Sequence, residues 1–545
     1  MLFKPKIIDT LKNYNRDQFV KDLIAGVIVG IVSLPLAIAF AIASGVSPEK
    51  GLYTAIIAGF VISLLGGSRV QIGGPTGAFI VVVYGVVQQY GINGLIIATF
   101  IAGIILIAMG IAKLGDAIQY VPYPLIIGFT TGIAVIIFSS EMKDFFGLEM
   151  DTAPADFVSK WLAYSEHFTS VNIYAVLTGG FTLLVVFLCP KLTHKIPGSI
   201  IAIFITTVIV QYFNVPVETI GSRFGAIPSI LPHPTIPDVS FETVQQLIRP
   251  ALTIALLGSI ESLLSAVVAD GMMGGSHRSN TELIAQGFAN ICSSFFGGIP
   301  ATGAIARTAT NVKNGGRTPV AGIIHAATLL LIMVIVGKWA ALIPMSTLAG
   351  ILIVVAWNMS EMKNFMYVLK GPKSDVIVMV ATFALTVLVD LTVAIEIGMM
   401  LAALMFIRNM MQASSVKRTF LIDNRSDDIL VQNPPDGVDV FEITGPFFFG
   451  VAYKFKDAMK IIEKSPQVLI IRMRNVPIID ATGIRVLKDI HKEISARGTK
   501  LILSEVNSLQ VMSELKKARL LFQIGKANIA EDYVNAISRA KKIVE

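Results

Sequence analysis

Long apolar stretches dominate the first 411 residues and follow one another with only short polar breaks. A helix needs about 20 mostly apolar residues to cross a bilayer. Fourteen candidate spans begin near residues 22, 51, 75, 93, 121, 171, 198, 250, 281, 300, 319, 340, 372 and 392. A single soluble core could not hide so much apolar surface, because such cores stop growing near about 250–300 residues. The sequence therefore predicts an α-helical polytopic membrane protein and excludes a cytosolic enzyme, a disordered chain and a fibrous protein.

Charged residues make up only 15% of the chain, and the mean hydropathy is +0.71. The two cysteines, Cys189 and Cys292, lie inside apolar runs, so we expect neither a disulfide framework nor a zinc site. We find no phosphate-binding loop pattern and no nucleophile–base–acid order. ATP-driven transport and enzymatic catalysis are therefore not expected, and neither is a cofactor.

The composition changes near residues 412–420, where the chain becomes charged and mixed. We predict a cytoplasmic N-terminus over 1–21, a membrane domain over 22–411 and a separate domain over 412–545. In the last part, VDVFEITGPFFFG, VLIIRM and LILSEV are typical of strands, and KFKDAMKIIEK, TGIRVLKDIHKEI and SLQVMSELKKA are typical of amphipathic helices. This alternation predicts a small α/β domain.

Basic residues are concentrated before the first span and in alternate loops, and the net charge is +7. Lys and Arg favour cytoplasmic loops, and an even number of spans puts both termini on one side. We therefore expect a multi-pass protein of the cell inner (plasma) membrane, with both termini and the C-terminal domain in the cytoplasm.

The two halves of the membrane domain contain matching broken spans. Gly59-Phe60 and Gly66-Gly67 precede Pro75-Thr76-Gly77-Ala78, and Gly287-Phe288 and Gly297-Gly298 precede Pro300-Ala301-Thr302-Gly303-Ala304. A matched pair of Pro/Gly-interrupted spans marks the binding site of many transporters. Seven spans per half is an odd number, so the second half enters the membrane from the opposite side. The pattern predicts a seven-plus-seven inverted repeat.

A half-helix that begins inside the membrane presents unpaired N–H groups and the positive end of its dipole, which together favour an anion. Gly77 and Gly303 remove side-chain bulk, so an oxyanion can approach the backbone closely. Thr76 and Thr302 either cap their helices or donate hydroxyl groups to the anion. We therefore predict an anion site between the starts of spans three and ten.

Ionisable residues inside a membrane are costly and indicate function. Glu261 lies within span eight, and Ser265 follows one turn later on the same face. This pair suits either Na⁺, through oxygen ligands, or a proton on Glu261. Arg307 follows one turn after Thr302-Gly303. It either attracts the anion or neutralises Glu261, in which case Glu261 has a structural role.

The chain resembles the sulfate-permease (SulP) anion transporters, the bacterial relatives of solute carrier family 26, over essentially its whole length. The resemblance rests on LPLAIAFAIASGVSPEKGLYTA, GGPTGAF, GSIESLLSAVVADG and ARTATNVKNGGRTPVAG, with DATG in a C-terminal segment similar to a STAS domain. It implies a core domain of spans one to four and eight to eleven that moves like an elevator against a gate domain. It also implies a homodimer. For the STAS domain we expect a cytoplasmic protein partner.

The resemblance also assigns roles to individual residues. Phe40 matches the aromatic residue that lines the family's anion site, and Thr76 matches a substrate-proximal position. Thr302 to Ala304 match the amide start of span ten, and Arg307 matches the bordering arginine of animal members. Glu261 matches the acidic residue that binds the coupling cation in bicarbonate-transporting relatives.

Two positions depart from the family pattern, and the substrate stays open. Leu36 stands where many members carry Gln, and Ala481 precedes Thr482 where a Ser is usual, which puts a phosphorylation switch there in doubt. Sulfate and bicarbonate are both possible substrates. The sequence around Glu261 and VAWNMSE is similar to the branch that moves C4-dicarboxylates such as succinate and fumarate. The expected function is H⁺- or Na⁺-coupled secondary transport; a passive anion channel and an anion receptor signalling through the STAS domain are the alternatives.

Overall fold

The structure, a computed structural model, describes residues 3–116, 121–150, 153–154, 156–192, 197–225, 234, 241–418, 434–460 and 465–545. The chain divides into two compact units, Met1–Ala402 and Ala403–Glu545.

The first unit is helical apart from one very short strand pair. Its helices are α1 (Lys6–Thr10), α2 (Arg16–Ala43), α3 (Pro48–Leu65), α4 (Ile80–Ile111), α5 (Tyr123–Phe146), α6 (Phe157–Glu166), α7 (Ile173–Leu192), α8 (Gly198–Tyr212), α9 (Ile220–Phe224), α10 (Phe241–Met273), α11 (Ser279–Phe295), α12 (Ile305–Lys313), α13 (Val320–Ala340), α14 (Met345–Met359), α15 (Met362–Leu369), α16 (Lys373–Leu388) and α17 (Leu391–Ala413). The division between the two units falls inside α17.

Among the described residues, 7 helical segments are long and apolar enough to cross a membrane, and three shorter apolar helices accompany them. Each predicted span start lies on one of the helices or just before it. Predicted spans three and four share α4, which is interrupted at Gly91, where φ is 69°. The α-helical membrane fold is therefore confirmed, whereas the count of fourteen crossings remains a prediction.

Small residues let the helices of the first unit pack closely. A Cβ atom on Gly103 of α4 would lie 2.7 Å from the Gly287 carbonyl oxygen, and one on Gly287 of α11 would lie 2.5 Å from the Gly103 carbonyl oxygen. Such contacts stabilise the association of membrane helices by van der Waals packing, because the hydrophobic effect does not drive helices together within lipid. Helix α13 packs against α2, and α10 packs against α4. An inverted repeat predicts both contacts, because span one corresponds to span eight and span four corresponds to span eleven.

One antiparallel strand pair joins the two halves of the first unit. Strand β1 (Gly73–Gly74) pairs with β2 (Thr302–Gly303), with Gly73 opposite Gly303 and Gly74 opposite Thr302. Each strand leads into a helix: β1 continues through a 3₁₀ turn at Gly77–Phe79 into α4, and β2 leads into α12. The two Pro/Gly-broken segments therefore meet.

The second unit contains a five-stranded sheet in the order β3-β4-β5-β6-β7. Its strands are β3 (Ser415–Arg418), β4 (Val438–Thr444), β5 (Val468–Asn475), β6 (Lys500–Ser504) and β7 (Ile529–Ala530), and its helices are α18 (Phe449–Lys460), α19 (Ala481–Ala496), α20 (Leu509–Lys517), α21 (Leu520–Ile524) and α22 (Tyr533–Val544). Only β3 pairs antiparallel; β4 to β7 are parallel.

The parallel sheet is covered on both faces, as such sheets must be. One face carries a core that includes Phe441, Phe447 and Phe455, and the other packs Val440 and Ile470 against α22. The predicted α/β domain is confirmed. One predicted strand ran too far: β4 ends at Thr444, and α18 begins at Phe449. Within the FFFG segment, Phe447 is buried in the core on one face of the sheet, whereas Phe449 is exposed.

Asp480 begins α19 as an N-cap, and its side chain accepts a hydrogen bond from the Gly483 amide at 2.7 Å. Its second carboxylate oxygen accepts from the Phe449 amide at the start of α18, at 3.2 Å. One aspartate therefore satisfies orphan amides of two helices.

Candidate functional site

The crossing of β1 and β2 holds the two half-helix starts together. Besides the strand pairing, the Ala304 amide donates to the Ile72 carbonyl oxygen at 2.8 Å. The Thr302 hydroxyl donates to the Gly258 carbonyl oxygen of α10, also at 2.8 Å. Thr302 is fully buried, so its hydroxyl fixes β2 onto α10 and does not cap α12.

One face of α12 binds the backbone of the extended segment that leads into β1. The Asn311 amide nitrogen donates to the Val70 carbonyl oxygen at 2.8 Å. The Thr308 hydroxyl accepts from the Ile72 amide at 3.0 Å, and Arg307 Nη2 donates to the Pro75 carbonyl oxygen. These three side chains follow the helical repeat along one side of α12. Residues 70–75 are therefore held in register along this helix.

Backbone amides at both half-helix starts have no hydrogen-bond partner among the described residues. They belong to Gly77 and Ala78 before α4, and to Ile305, Ala306 and Arg307 in the first turn of α12. We predicted that the amide start of span ten lies at Thr302 to Ala304. The Ala304 amide is already bonded to Ile72, so the unpaired amides begin one residue later.

Glu261 lies on α10 and faces the start of α4. Its Oε2 atom accepts a hydrogen bond from the Thr76 hydroxyl at 2.8 Å. Its side chain is half-buried. Ser265, one turn further along α10, is fully buried and donates to the Thr308 hydroxyl oxygen at 3.2 Å. The structure thus brings Glu261 to Thr76 and Ser265 to α12.

Arg307 is 3% exposed and uses one end of its guanidinium to hold Pro75. The other terminal nitrogen, Nη1, is buried and has no partner among the described residues. A Cβ atom on Gly74 would lie 2.7 Å from this nitrogen. No ion pair joins Arg307 to Glu261 in this part of the chain. The site therefore holds a buried cation with a donor still unused.

Three apolar side chains lie against the start of α4. A Cβ atom on Gly77 would lie 3.0 Å from Met359 Sδ and 3.6 Å from both Ile137 Cδ1 and Phe40 Cε1. Phe40 is 5% exposed. The structure thus brings Phe40 to Gly77, together with Ile137 and Met359, which sequence reasoning did not identify.

A cavity of about 750 Å³ opens one helical turn further along the same helices. Ala43, Tyr84, Glu141 and Lys160 contribute to its lining. Lys160, on α6, donates to the Ser140 hydroxyl at 2.9 Å, and burial lowers the pKa of its ammonium group. Two of its lining residues lie one helical turn from the apolar contact around Gly77, since Ala43 follows Phe40 by three positions and Glu141 follows Ile137 by four.

Sequence reasoning missed two buried polar side chains behind the crossing. Gln71 is 4% exposed, and Glu282 is fully buried at the start of α11. Glu282 accepts hydrogen bonds from the Gly67 and Ser68 amides at 2.8 and 3.0 Å. The sequence analysis singled out Glu261 and did not identify Glu282. A polar residue in the extended stretch before a broken span was the available signal for Gln71.

Profiles of two families match the chain. The Sulfate permease family matches residues 19–382, and the STAS domain matches residues 432–536. A Bacillus subtilis protein, YvdB, named as a candidate sulfate transporter, is 42% identical over 524 residues, which cover 96% of this chain and 98% of that protein. The bicarbonate transporter BicA of Picosynechococcus is 32% identical over 450 residues, 79% of each chain.

Solved structures show the same fold. The murine Slc26a9 anion transporter in its inward-facing state gives a TM-score of 0.88 at 20% identity and covers 99% of this chain and 94% of that one. The transmembrane domain of a cyanobacterial bicarbonate transporter, BicA, gives a TM-score of 0.65 at 31% identity and covers 70% of this chain and 98% of that one. The chain therefore belongs to the Sulfate permease family of membrane-embedded anion transporters, which are not enzymes, and carries a C-terminal STAS domain.

Proposed function

We propose that this protein is a secondary active transporter that binds a small anion between the starts of α4 and α12. The observation that carries the proposal is the set of unused donors at the β1–β2 crossing. Amides at both half-helix starts and Arg307 Nη1 have no partner among the described residues. Gly77, Ala78 and Arg307 are buried, and buried donors without partners cost about 1–3 kcal/mol each. An oxyanion would satisfy several of these donors together.

The proposed site residues have different roles: some would contact the anion, and others build the crossing. Gly77 and Arg307 offer donors, and Phe40 forms an apolar wall beside Gly77. Thr302, Gly303 and Ala304 build the crossing, since their hydrogen bonds go to protein atoms. Thr76 links the anion site to the carboxylate of Glu261.

Coupling would act through Glu261, with H⁺ or Na⁺ as the driving ion and Ser265 as a neighbouring oxygen. The site contains one cation, Arg307, and one carboxylate, Glu261, which nearly cancel. A proton or Na⁺ on Glu261 leaves Arg307 as the net charge and so favours an incoming anion. The Thr76–Glu261 hydrogen bond supports this link, because it joins the carboxylate to the helix start.

Sulfate is the substrate that we propose first, since the Bacillus subtilis relative with that name is 42% identical along nearly the whole chain. Bicarbonate is the second candidate, supported by the cyanobacterial bicarbonate transporters at 32% and 29% identity. A C4-dicarboxylate presents the same carboxylate chemistry to the half-helix amides and belongs in the same test.

The remaining assignments follow the family resemblance. We propose a core domain that moves like an elevator against a gate domain, and a homodimer in the inner (plasma) membrane. Both termini and the STAS domain would face the cytoplasm. The proposed domains stay at 1–21, 22–411 and 412–545.

Uptake into proteoliposomes tests the proposal. Purified protein is reconstituted, and uptake of sulfate, bicarbonate, succinate and fumarate is followed under imposed H⁺ or Na⁺ gradients. Accumulation of one anion above its equilibrium level, dependent on one gradient, is expected. Anion currents without accumulation would indicate a passive channel, and binding without movement would indicate a receptor; either result contradicts secondary transport.

A further inference from the structure

Gln71 is a buried side chain for which the proposed transport cycle has no role so far. It lies in the extended segment just before β1 and is 4% exposed. Its Nε2 atom donates to the Ser262 hydroxyl oxygen at 2.8 Å and to the Ser262 carbonyl oxygen at 3.2 Å. Because a carbonyl oxygen only accepts, the second contact identifies the amide nitrogen as the end that faces Ser262.

The carboxamide of Gln71 fills the space that a side chain at residue 303 would need. A Cβ atom on Gly303 would overlap Gln71 Nε2 and would lie 2.5 Å from Cδ and 3.0 Å from Cγ. Gly303 is opposite Gly73 in the strand pair. Gln71 therefore packs directly against the crossing, and glycine at 303 is required by this contact.

Ser262 is itself fixed by a buried carboxylate. Its hydroxyl donates to Glu282 Oε1 at 3.3 Å, and Gln286 Nε2 donates to the same oxygen at 2.8 Å. Glu282 also holds two backbone amides at the end of α3, those of Gly67 and Ser68. A chain of buried hydrogen bonds thus runs from α11 through α10 to the crossing, so Gln71 is held rigidly.

The two unpartnered polar atoms near the crossing differ in charge character. Gln71 Oε1, an acceptor, and Arg307 Nη1, a cationic donor, are both buried without a partner among the described residues. Arg307 Nη1 lies beside Gly74, whereas the Gln71 atom nearest Gly303 is Nε2. The guanidinium attracts an anion, so the anion belongs on the Arg307 side.

We infer that Gln71 is a positioning residue of the anion site. Held by Ser262, it sets the spacing of the β1–β2 crossing, and with it the aim of the amides at both half-helix starts. The inference rests on the proposed function, because it assigns a role within that site.

The packing is tested by pairing Gly303→Ala with Gln71→Ala. Gly303→Ala alone is expected to lower the melting temperature of the detergent-solubilised protein and its uptake of sulfate, bicarbonate, succinate and fumarate. Adding Gln71→Ala frees the space for the new methyl group, so the double variant is expected to melt higher than Gly303→Ala. Gly180→Ala, at a site in α7 where an added Cβ meets nothing within 4 Å, is the control and should match the parent. The inference is overturned if Gly303→Ala behaves like the wild type. It is also overturned if the losses of melting temperature from Gly303→Ala and Gln71→Ala simply add in the double variant.

The positioning role is tested by Gln71→Met, which keeps the volume of the side chain and removes its hydrogen bonds. We expect KM for the transported anion to rise about tenfold, which corresponds to about 1.4 kcal/mol, with little change in melting temperature. A lowered melting temperature with an unchanged KM would show a structural role only and would overturn the inference. If the parent protein takes up none of the four anions, the proposed function fails, while the melting temperatures of the Gly303 and Gln71 variants still decide the packing.

Discussion

Arg307 shows how one side chain both builds the proposed site and charges it. One terminal nitrogen holds the Pro75 carbonyl oxygen, and the other is buried without a partner among the described residues. An isolated buried cation is strongly disfavoured unless it is paired. We propose the anion as the partner of this nitrogen, since no ion pair joins Arg307 to Glu261 among the described residues.

Arg307→Lys keeps the positive charge and loses the planar fork. A lysine ammonium is a single point and cannot hold Pro75 and reach an anion in two fixed directions. We expect anion uptake to fall at least about tenfold for Arg307→Lys and to be lost for Arg307→Met, which leaves no charge. Uptake at the parent rate by Arg307→Lys would contradict a role that depends on the fork.

Glu261→Gln mimics the neutral form of the carboxyl group and keeps an oxygen that accepts from Thr76. Gradient-driven accumulation is expected to disappear, while anion binding or downhill exchange persists. Because no ion pair joins Glu261 to Arg307 among the described residues, the variant is expected to fold. The melting temperature and uptake of Glu261→Gln are compared with those of the double variant Glu261→Gln with Arg307→Gln. A stable single variant that still concentrates the anion with the same ion dependence removes Glu261 from the mechanism.

Helix α12 acts as a template for the strand that precedes α4, because its side chains bind the backbone of that segment in a fixed register. Asn311 and Thr308 bind the backbone at Val70 and Ile72, positions more than 200 residues earlier in the chain. Buried backbone groups of irregular segments must find partners within a membrane. The polar face of α12 provides them, which explains why this short helix is so polar.

Thr308→Val tests this template with a side chain of nearly the same shape. The Ile72 amide loses its acceptor, and a buried unsatisfied donor costs about 1–3 kcal/mol. We expect a lower melting temperature and reduced uptake. Thr310→Val is the matched control on the same helix, because among the described residues the Thr310 hydroxyl bonds only to the Ala306 carbonyl oxygen of its own helix. Equal melting temperatures for the two variants would refute the template.

The elements that the sequence predicted are those with local signals. Pro and Gly mark both broken segments, apolar length marks the helices, and Asp480 marks the start of α19. Gln71 and Glu282 were missed, because their roles depend on contacts with Ser262 and Gly67 from distant parts of the chain. Nothing in the local pattern fixes which residue of 70–75 meets which residue of α12.

At the scale of the whole molecule, two compact units are present, and the division falls in α17 and not in the polar stretch that follows it. Within the second unit, Lys454 Nζ donates to the Met411 carbonyl oxygen at 2.6 Å and so caps the C-terminal end of α17. The end of the last apolar helix therefore belongs to the folded C-terminal unit.

Deletion of residues 420–545 is expected to preserve membrane insertion and to change expression, dimer behaviour or transport rate. It leaves β3 without β4, so an unpaired strand edge is exposed. Deletion of residues 415–545 removes β3 as well and should give the less aggregated product in size-exclusion chromatography. Failure of both truncated proteins to insert would contradict the separation into two domains.

The crossing of β1 and β2 also determines when the site can form during synthesis. Gly73 and Gly74 pair with Gly303 and Thr302, which the ribosome adds more than 200 residues later. Strand β1 of the first half therefore has no partner strand until the second half has been synthesised. Two separately expressed halves, divided between Gly225 and Phe241, should each be degraded alone and should protect one another when they are made together.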